Sequence, residues 1–317
     1  MPKLSILRLL VAAAAAALVT PAFAQRAVEL VIPIAAGGAL DAATRAVGVE
    51  LAAKWKEPVV PANKPGAGMV LGVKYTLEQP ADGRTIMVGG LPYTTAQFRP
   101  SGSPFNPDDM TPVAYMGWQG TVLYIRSTIP ANTIAEFVQW AKQQPQGVSF
   151  ASSGVGSSPH IGAEEFAGLT GIKITHVPYT GSGAFQPAIQ GGHVDAVFDA
   201  PSSRVHVQSG KLKALMFGAK DPFPGWPELP TAPASGLPTF KSGSWYGFLV
   251  SAKTPAATVQ KLNADLNEAM RTPAVRARLD QLGIQPGTGT ADDFVKLLKS
   301  EHTRLEHVIR SRNIAIN

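Results

Sequence analysis

Three short stretches of small polar residues carry most of the chemistry this 317-residue chain offers. Ala35-Ala36-Gly37-Gly38 is followed by Asp41 and Arg45, Ser152-Ser153-Gly154-Val155-Gly156-Ser157 by His160, and Tyr179-Thr180-Gly181-Ser182-Gly183 by Phe185. Glycine lets a backbone come close to a ligand, and free N–H groups and serine hydroxyls donate hydrogen bonds without bulk. Donors of this kind suit an anion, and a carboxylate is the simplest anion of a small organic solute. Blander roles stay open. Gly-Gly also occurs in ordinary βα connections, and a histidine at a helix start can cap or pack as well as face a ligand.

Catalysis would need more than these donors. There is no G-x-S-x-G elbow and no H-E-x-x-H, and Gly37-Gly38-Ala39-Leu40-Asp41 is neither a dinucleotide fingerprint nor a phosphate loop. The six histidines show no metal spacing. Asp41, Asp195 and Asp199 are available acids, although Asp195 follows Gly191-Gly192 and can simply fix that turn. No catalytic residue, cofactor or metal is therefore assigned; an enzyme acting on a small organic acid is the alternative.

Each stretch needs a strand to deliver it and a helix to receive it. Val28, Leu30, Val31 and Ile32 form an apolar run that Pro33 ends, and the helix-forming series after Gly38 continues to about Trp55. A short strand at 58–61, a turn at 63–68, a helix at 70–78 and a buried strand at 85–89 follow, which implies a mostly parallel sheet with helices. Residues 91–112 hold five prolines and read as irregular surface chain. A strand at 121–125 and a helix at 133–142, with Thr133 as N-cap, lead into a second α/β unit. Its strands are expected at 148–151, 172–177, 194–198 and 214–217, with helices at 160–169, through Ile189, and at 202–209. Six prolines within 222–238 make a connecting segment, a strand at 244–250 leaves it, and three helices (255–270, 273–282, 291–309) close the chain. They are expected to pack on the first sheet.

Composition sets the boundaries. The chain is 45% hydrophobic and 16% charged, as in a globular protein, and it holds no cysteine, which excludes disulfides, thiolate chemistry and a lipid-modified cysteine. Lys3 and Arg8, the apolar segment 9–19 and Ala22-Phe23-Ala24 read as a secretory leader cleaved after Ala24; an uncleaved anchor is the other reading. Cleavage removes two cations and no acid, so the formal charge of +6 becomes +4. No basic run interleaved with aromatics speaks for nucleic acid.

These motifs, in this order, resemble the Bug family of periplasmic solute-binding proteins, the receptors of tripartite tricarboxylate transporters. The residues that carry the resemblance are Ile32-Pro33-Ile34-Ala35-Ala36-Gly37-Gly38 with Asp41 and Arg45, Asn63-Lys64-Pro65-Gly66-Ala67-Gly68, Asp82-Gly83-Arg84-Thr85, the Ser152–Ser157 loop with His160, and Val177-Pro178-Tyr179 with Gly181, Gly191-Gly192 and Val194-Asp195. The resemblance implies a two-domain α/β periplasmic-binding-protein fold of type II, closing on a small carboxylate, dicarboxylic or aromatic. It places ligand contacts at Ala36, Gly37, Gly38 and Asp41, at Ser153, Ser157 and His160, and at Tyr179, Thr180 and Gly181. The domains are expected at 25–122 plus 245–317 and at 123–244, crossing over at 121–126 and 244–250. A monomer that serves a tripartite tricarboxylate transporter or a sensor is implied. Three departures stand out: Met69 where a glycine is usual, Arg84 for a common tyrosine, and Ala184-Phe185 for a common Pro-Ala. Phe185, near the expected pocket, is a candidate for narrowing it.

Overall fold

The computed structural model of the protein describes residues 26–287 and 289–316; the expected leader and its cleavage site lie outside them. In chain order the helices are α1 (Ala39–Trp55), α2 (Val70–Glu78), α3 (Leu91–Thr95), α4 (Ile134–Lys142), α5 (Ser158–Thr170), α6 (Ser182–Gln190), α7 (Arg204–Gln208), α8 (Ala256–Arg271), α9 (Pro273–Leu282) and α10 (Ala291–Ser311). One sheet joins β1 (Val28–Ile32), β2 (Val59–Asn63), β3 (Thr85–Gly90), β4 (Met110–Gly120), β10 (Gly243–Ser251) and β11 (Ile284–Pro286), in the order β11-β4-β10-β3-β1-β2. The other joins β5 (Val122–Arg126), β6 (Val148–Ser152), β7 (Ile174–Pro178), β8 (Ala196–Asp199) and β9 (Leu212–Phe217), in the order β7-β6-β8-β5-β9.

Burial explains the first sheet. Leu30, Val31 and Ile32 are wholly buried, and Val47 and Leu51 of α1 and Val73 of α2 complete the same core. Each such side chain contributes about 1.5–3 kcal/mol on leaving water. Gly48 of α1 sits against Leu30 and Val59, where a larger residue would hold the helix off the sheet.

Strand direction decides where the loops go. β1 runs parallel to β2 and β3, so residues 33–38, residues 64–69 and α3 all leave one edge. β6 runs parallel to β7 and β8, so residues 153–157, 179–181 and 200–203 leave one edge of the second sheet. The three stretches singled out in the sequence therefore lie on two carboxyl edges.

Between the sheets the chain crosses on residues that bond to one another. Thr121 N–H donates to Ser242 O (3.0 Å), Gly218 N–H to Thr121 O (2.8 Å) and Ser242 N–H to Gly218 O (2.8 Å), with the Thr121 and Ser242 hydroxyls 2.6 Å apart. The sequence placed the second crossing within 244–250. Here β10 pairs only with β3 and β4, and the return passes through residues 218–242.

Residues 91–112 differ most from expectation. Leu91, Tyr93, Thr94, Thr95 and Ala96 are buried, and at Met110 begins the eleven-residue strand β4, between β10 and β11. Pro112 hid it, because a proline cannot donate within a sheet. The strand accommodates Pro112 opposite Leu249, where its register against β10 shifts. The three-residue β11 was also invisible.

The C-terminal helices pack on the first sheet's core through Leu262, Leu266, Val275, Leu279 and Phe294. The far end of α10 does something else: Leu305, Val308 and Ile309, with Ile314 and Ile316, join Leu91 of α3 to Ile161 of α5. Arg304 adds an ion pair from α10 to Glu165 of α5 (3.3 Å). No helix among the described residues is long and apolar enough to cross a membrane.

Candidate ligand-binding cleft

Pro33 ends β1 and the chain turns through Gly37, whose φ of +95° favours glycine. Ala36 and Gly37 are exposed, and Gly38 stands in extended backbone at the N-cap of α1 with no side chain capping the first turn. Asp41 looks inward. Its carboxylate accepts the Gly37 N–H (3.1 Å), Asn63 Nδ2 (2.9 Å) and Arg45 Nε (3.0 Å), and Asn63 also donates to Ile34 O (3.1 Å). Burial pushes the Asp41 carboxyl up, but the bonds from Arg45, Asn63 and Gly37 outweigh it and hold the group below the usual carboxylate range. Asp41 is thus an ionised brace for the turn.

The second stretch turns at Gly154 (φ +117°) and Gly156 (φ +76°). Ser157, the N-cap of α5, donates its hydroxyl to Gly154 O (2.6 Å) and leaves the helix start without a side-chain cap. His160 Nδ1 accepts the Gly156 N–H (3.1 Å), which fixes the proton on Nε2, and its ring stacks on His176 at 3.7 Å. Burial, with repulsion from His176 added, pushes His160 down to about 4, so the ring is neutral at pH 7. Ser152 Oγ lies 2.6 Å from His176 Nε2, and Ser153 is exposed.

Tyr179 N–H donates to Ser152 O (2.9 Å), which ties the third stretch to the second. Gly181 (φ +134°) is the N-cap of α6, again without a side-chain cap, and Thr180 is exposed. Phe185 is 1% exposed and lies in a core with Tyr124, Val197 and Phe217. Its ring therefore supports α6 from beneath and does not line the cleft surface.

The two carboxyl edges face each other. Thr95 Oγ1, at the end of α3, donates to Gly156 O (2.8 Å) on the opposite unit. The starts of α1, α5 and α6 thus belong to opposed edges; like those of α2, α3, α7 and α8 they carry no side-chain cap, whereas Thr133, Thr272 and Thr290 cap α4, α9 and α10.

The acids divide by edge. Asp195 precedes β8, at the other end of the sheet, where Arg126 (2.9 Å) and Ser149 engage it. Asp199 ends β8 on the cleft side. It is buried, Ser203 Oγ (2.6 Å) and Gln186 donate to it, and burial raises its carboxyl despite those bonds. The loop 200–203 repeats the design of strand, small polar residues and helix, a signal that Asp199-Ala200-Pro201-Ser202-Ser203 already carried in the sequence. In the turn after β2, which the sequence places at 63–68 with Met69 where a glycine is usual, the resemblance puts no ligand contact. There Gly66, Ala67, Gly68 and Met69 all have positive φ (+140°, +48°, +61° and +73°), so Met69 occupies a backbone conformation that favours glycine. Such a conformation costs Ala67 and Met69 about 1–2 kcal/mol each. Among the described residues no cluster of His, Asp and Glu is arranged to hold a metal ion.

Known proteins share this architecture. The family model for the tripartite tricarboxylate transporter family receptor, TctC, matches residues 43–314. A UPF0065 protein from the tcbD-tcbE intergenic region of Pseudomonas sp. (strain P51) is 32% identical, over 91% of this chain and 87% of its own. Two solved structures are similar throughout. R. palustris Rpa4515 with adipate has a TM-score of 0.86 and 26% identity, covering 92% of this chain and 99% of its own. MatC from Rhodopseudomonas palustris with bound malate has a TM-score of 0.81 and 30% identity, covering 89% and 98%. With uncapped helix starts on two opposed edges and a family match over most of its length, the chain belongs to the TctC family of solute-binding receptors, and its role is binding rather than catalysis.

Proposed function

We propose that this receptor captures a small carboxylate between its two α/β units and presents it to a membrane partner. The observation that carries this reading is the set of uncapped starts at Gly38, Ser157 and Gly181, whose first-turn N–H groups and positive dipole ends suit an anion. The adipate and malate bound by two similar proteins support the same ligand class. Ala36, Gly37, Gly38, Ser153, Ser157, Tyr179, Thr180 and Gly181 would supply the contacts, with Asp41 and His160 holding the turns in shape and Phe185 acting through α6. Residues 25–122 with 245–317 would move as one domain and 123–244 as the other, hinging near Thr121, Gly218 and Ser242. Export with cleavage after Ala24 would place a monomer in the periplasm, to serve a tripartite tricarboxylate transporter or a sensor.

A thermal-shift panel of mono-, di- and tricarboxylates and aromatic acids tests the reading. At least one carboxylate is expected to raise the melting temperature in a saturable way, because it binds the folded state alone. A response confined to neutral or cationic solutes would overturn it.

A further inference from the structure

Arg99 lies four residues beyond Thr95, which already touches the opposite edge at Gly156. Its Nη2 donates to Ala67 O (3.0 Å), in the left-handed turn after β2, so the guanidinium belongs to the same carboxyl edge as Gly37 and Gly38. Its Nε is enclosed by protein and has no hydrogen-bond partner. Among the described residues no carboxylate lies within 4 Å of Arg99, although the side chain is only partly exposed. Among the described residues the other arginines either meet an acid, as Arg45 meets Asp41 and Arg126 meets Asp195, or are exposed, as Arg271, Arg276, Arg278 and Arg312 are. A guanidinium partly withdrawn from water with no acid beside it is costly, and with Nε enclosed the terminal nitrogens, on the exposed side where Nη2 meets Ala67 O, are the donors left for a carboxylate.

On the same edge the Lys64 ammonium lies over the Tyr75 ring, 4.1 Å from its centre. Arg45 is committed to Asp41 and Asn63, and His160 is neutral. We propose that Arg99 is a ligand-contacting residue that pairs with a second carboxylate of the solute, so that the receptor selects dicarboxylates over monocarboxylates of equal chain length. The inference rests on the carboxylate reading above and adds to it the number of acid groups and the residue that counts them.

Titration calorimetry with pairs of acids matched in length, adipate against hexanoate and succinate against butyrate, tests it on the full mature chain. The unaltered protein is expected to favour one dicarboxylate over its partner by about tenfold or more, the usual worth of a charged hydrogen bond. Arg99→Gln should bring that ratio to within about threefold of unity, Arg99→Lys should keep part of it, and Arg276→Gln, at an exposed site, should keep all of it. Melting temperatures without ligand show whether each variant is folded; should Arg99→Gln unfold, Arg99→Lys carries the comparison. An undiminished ratio in folded Arg99→Gln, or equal affinities in the unaltered protein, overturns the role of Arg99 and leaves carboxylate capture standing. No binding of any of the four acids, or of the wider panel, overturns both.

Discussion

Asp41 and His160 are both buried on the cleft edge, and both keep the charge state their neighbours reward. Three donors surround Asp41, so its carboxyl sits below the usual carboxylate range; its contribution to stability is present above the unfolded value and disappears as pH falls through the lowered folded one. Asp41→Ala should cost about 1–3 kcal/mol at pH 7, from buried donors left unpaired, and the gap to the unaltered protein should narrow in acid melts as the Asp41 carboxylate takes up its proton. His160 titrates in a separate window. Its folded value of about 4 lies below the unfolded 6.5, so the unfolded chain takes up a proton first and stability falls as pH drops from 6.5 towards 4. That slope approaches about 1.4 kcal/mol per pH unit for one proton. His160→Asn, which retains an acceptor for the Gly156 N–H, should melt with a shallower dependence between pH 6.5 and 4. Ala67→Gly removes strain at φ +48° and should raise stability by about 0.5–1 kcal/mol, less than the strain itself because glycine also loosens the unfolded chain. Small polar residues such as Gly37 and Ser157 were legible because their types state their use. Arg99 was not, since a missing partner shows only when distant chain is assembled around it.

At the scale of elements, βα repetition announced most of the fold. A strand followed by Gly or Ser and then by a helix is read directly from residue types, and α2 (Val70–Glu78) and α9 (Pro273–Leu282) have the expected bounds. β4 escaped because Pro112 and Gly117 interrupt an otherwise apolar run, and only pairing with β10 shows that the sheet tolerates them. Phe185 escaped differently: position in sequence brings it to the pocket, but the face of α6 that carries it looks into the core. The approach of α3 to the loop after β6 is the element contact most exposed to test. Gly156→Ala places a Cβ at φ +76°, 2.8 Å from Thr95 Oγ1. It should destabilise by about 1–2 kcal/mol from backbone strain alone. It should also weaken carboxylate binding, measured by melting and calorimetry on the same preparation.

At the scale of the whole molecule, hydrogen bonds among Thr121, Gly218 and Ser242 join the two sheets where the proposed hinge lies, and α10 adds a second contact across the units through Ile161 and Glu165. Both features depend on pairs distant in the chain, Thr121 with Ser242 and Glu165 with Arg304, which periodicity cannot bring together. Closure about the hinge would bring the starts of α1, α5 and α6 around one solute. The most direct measurement is a crystal structure of the mature protein with the carboxylate that stabilises it most. The account predicts carboxylate oxygens about 2.7–3.2 Å from N–H groups at the start of α1 and in the 153–157 loop, between the two edges. A solute bound elsewhere, or one whose carboxylate turns to solvent while neutral atoms meet those N–H groups, would contradict it.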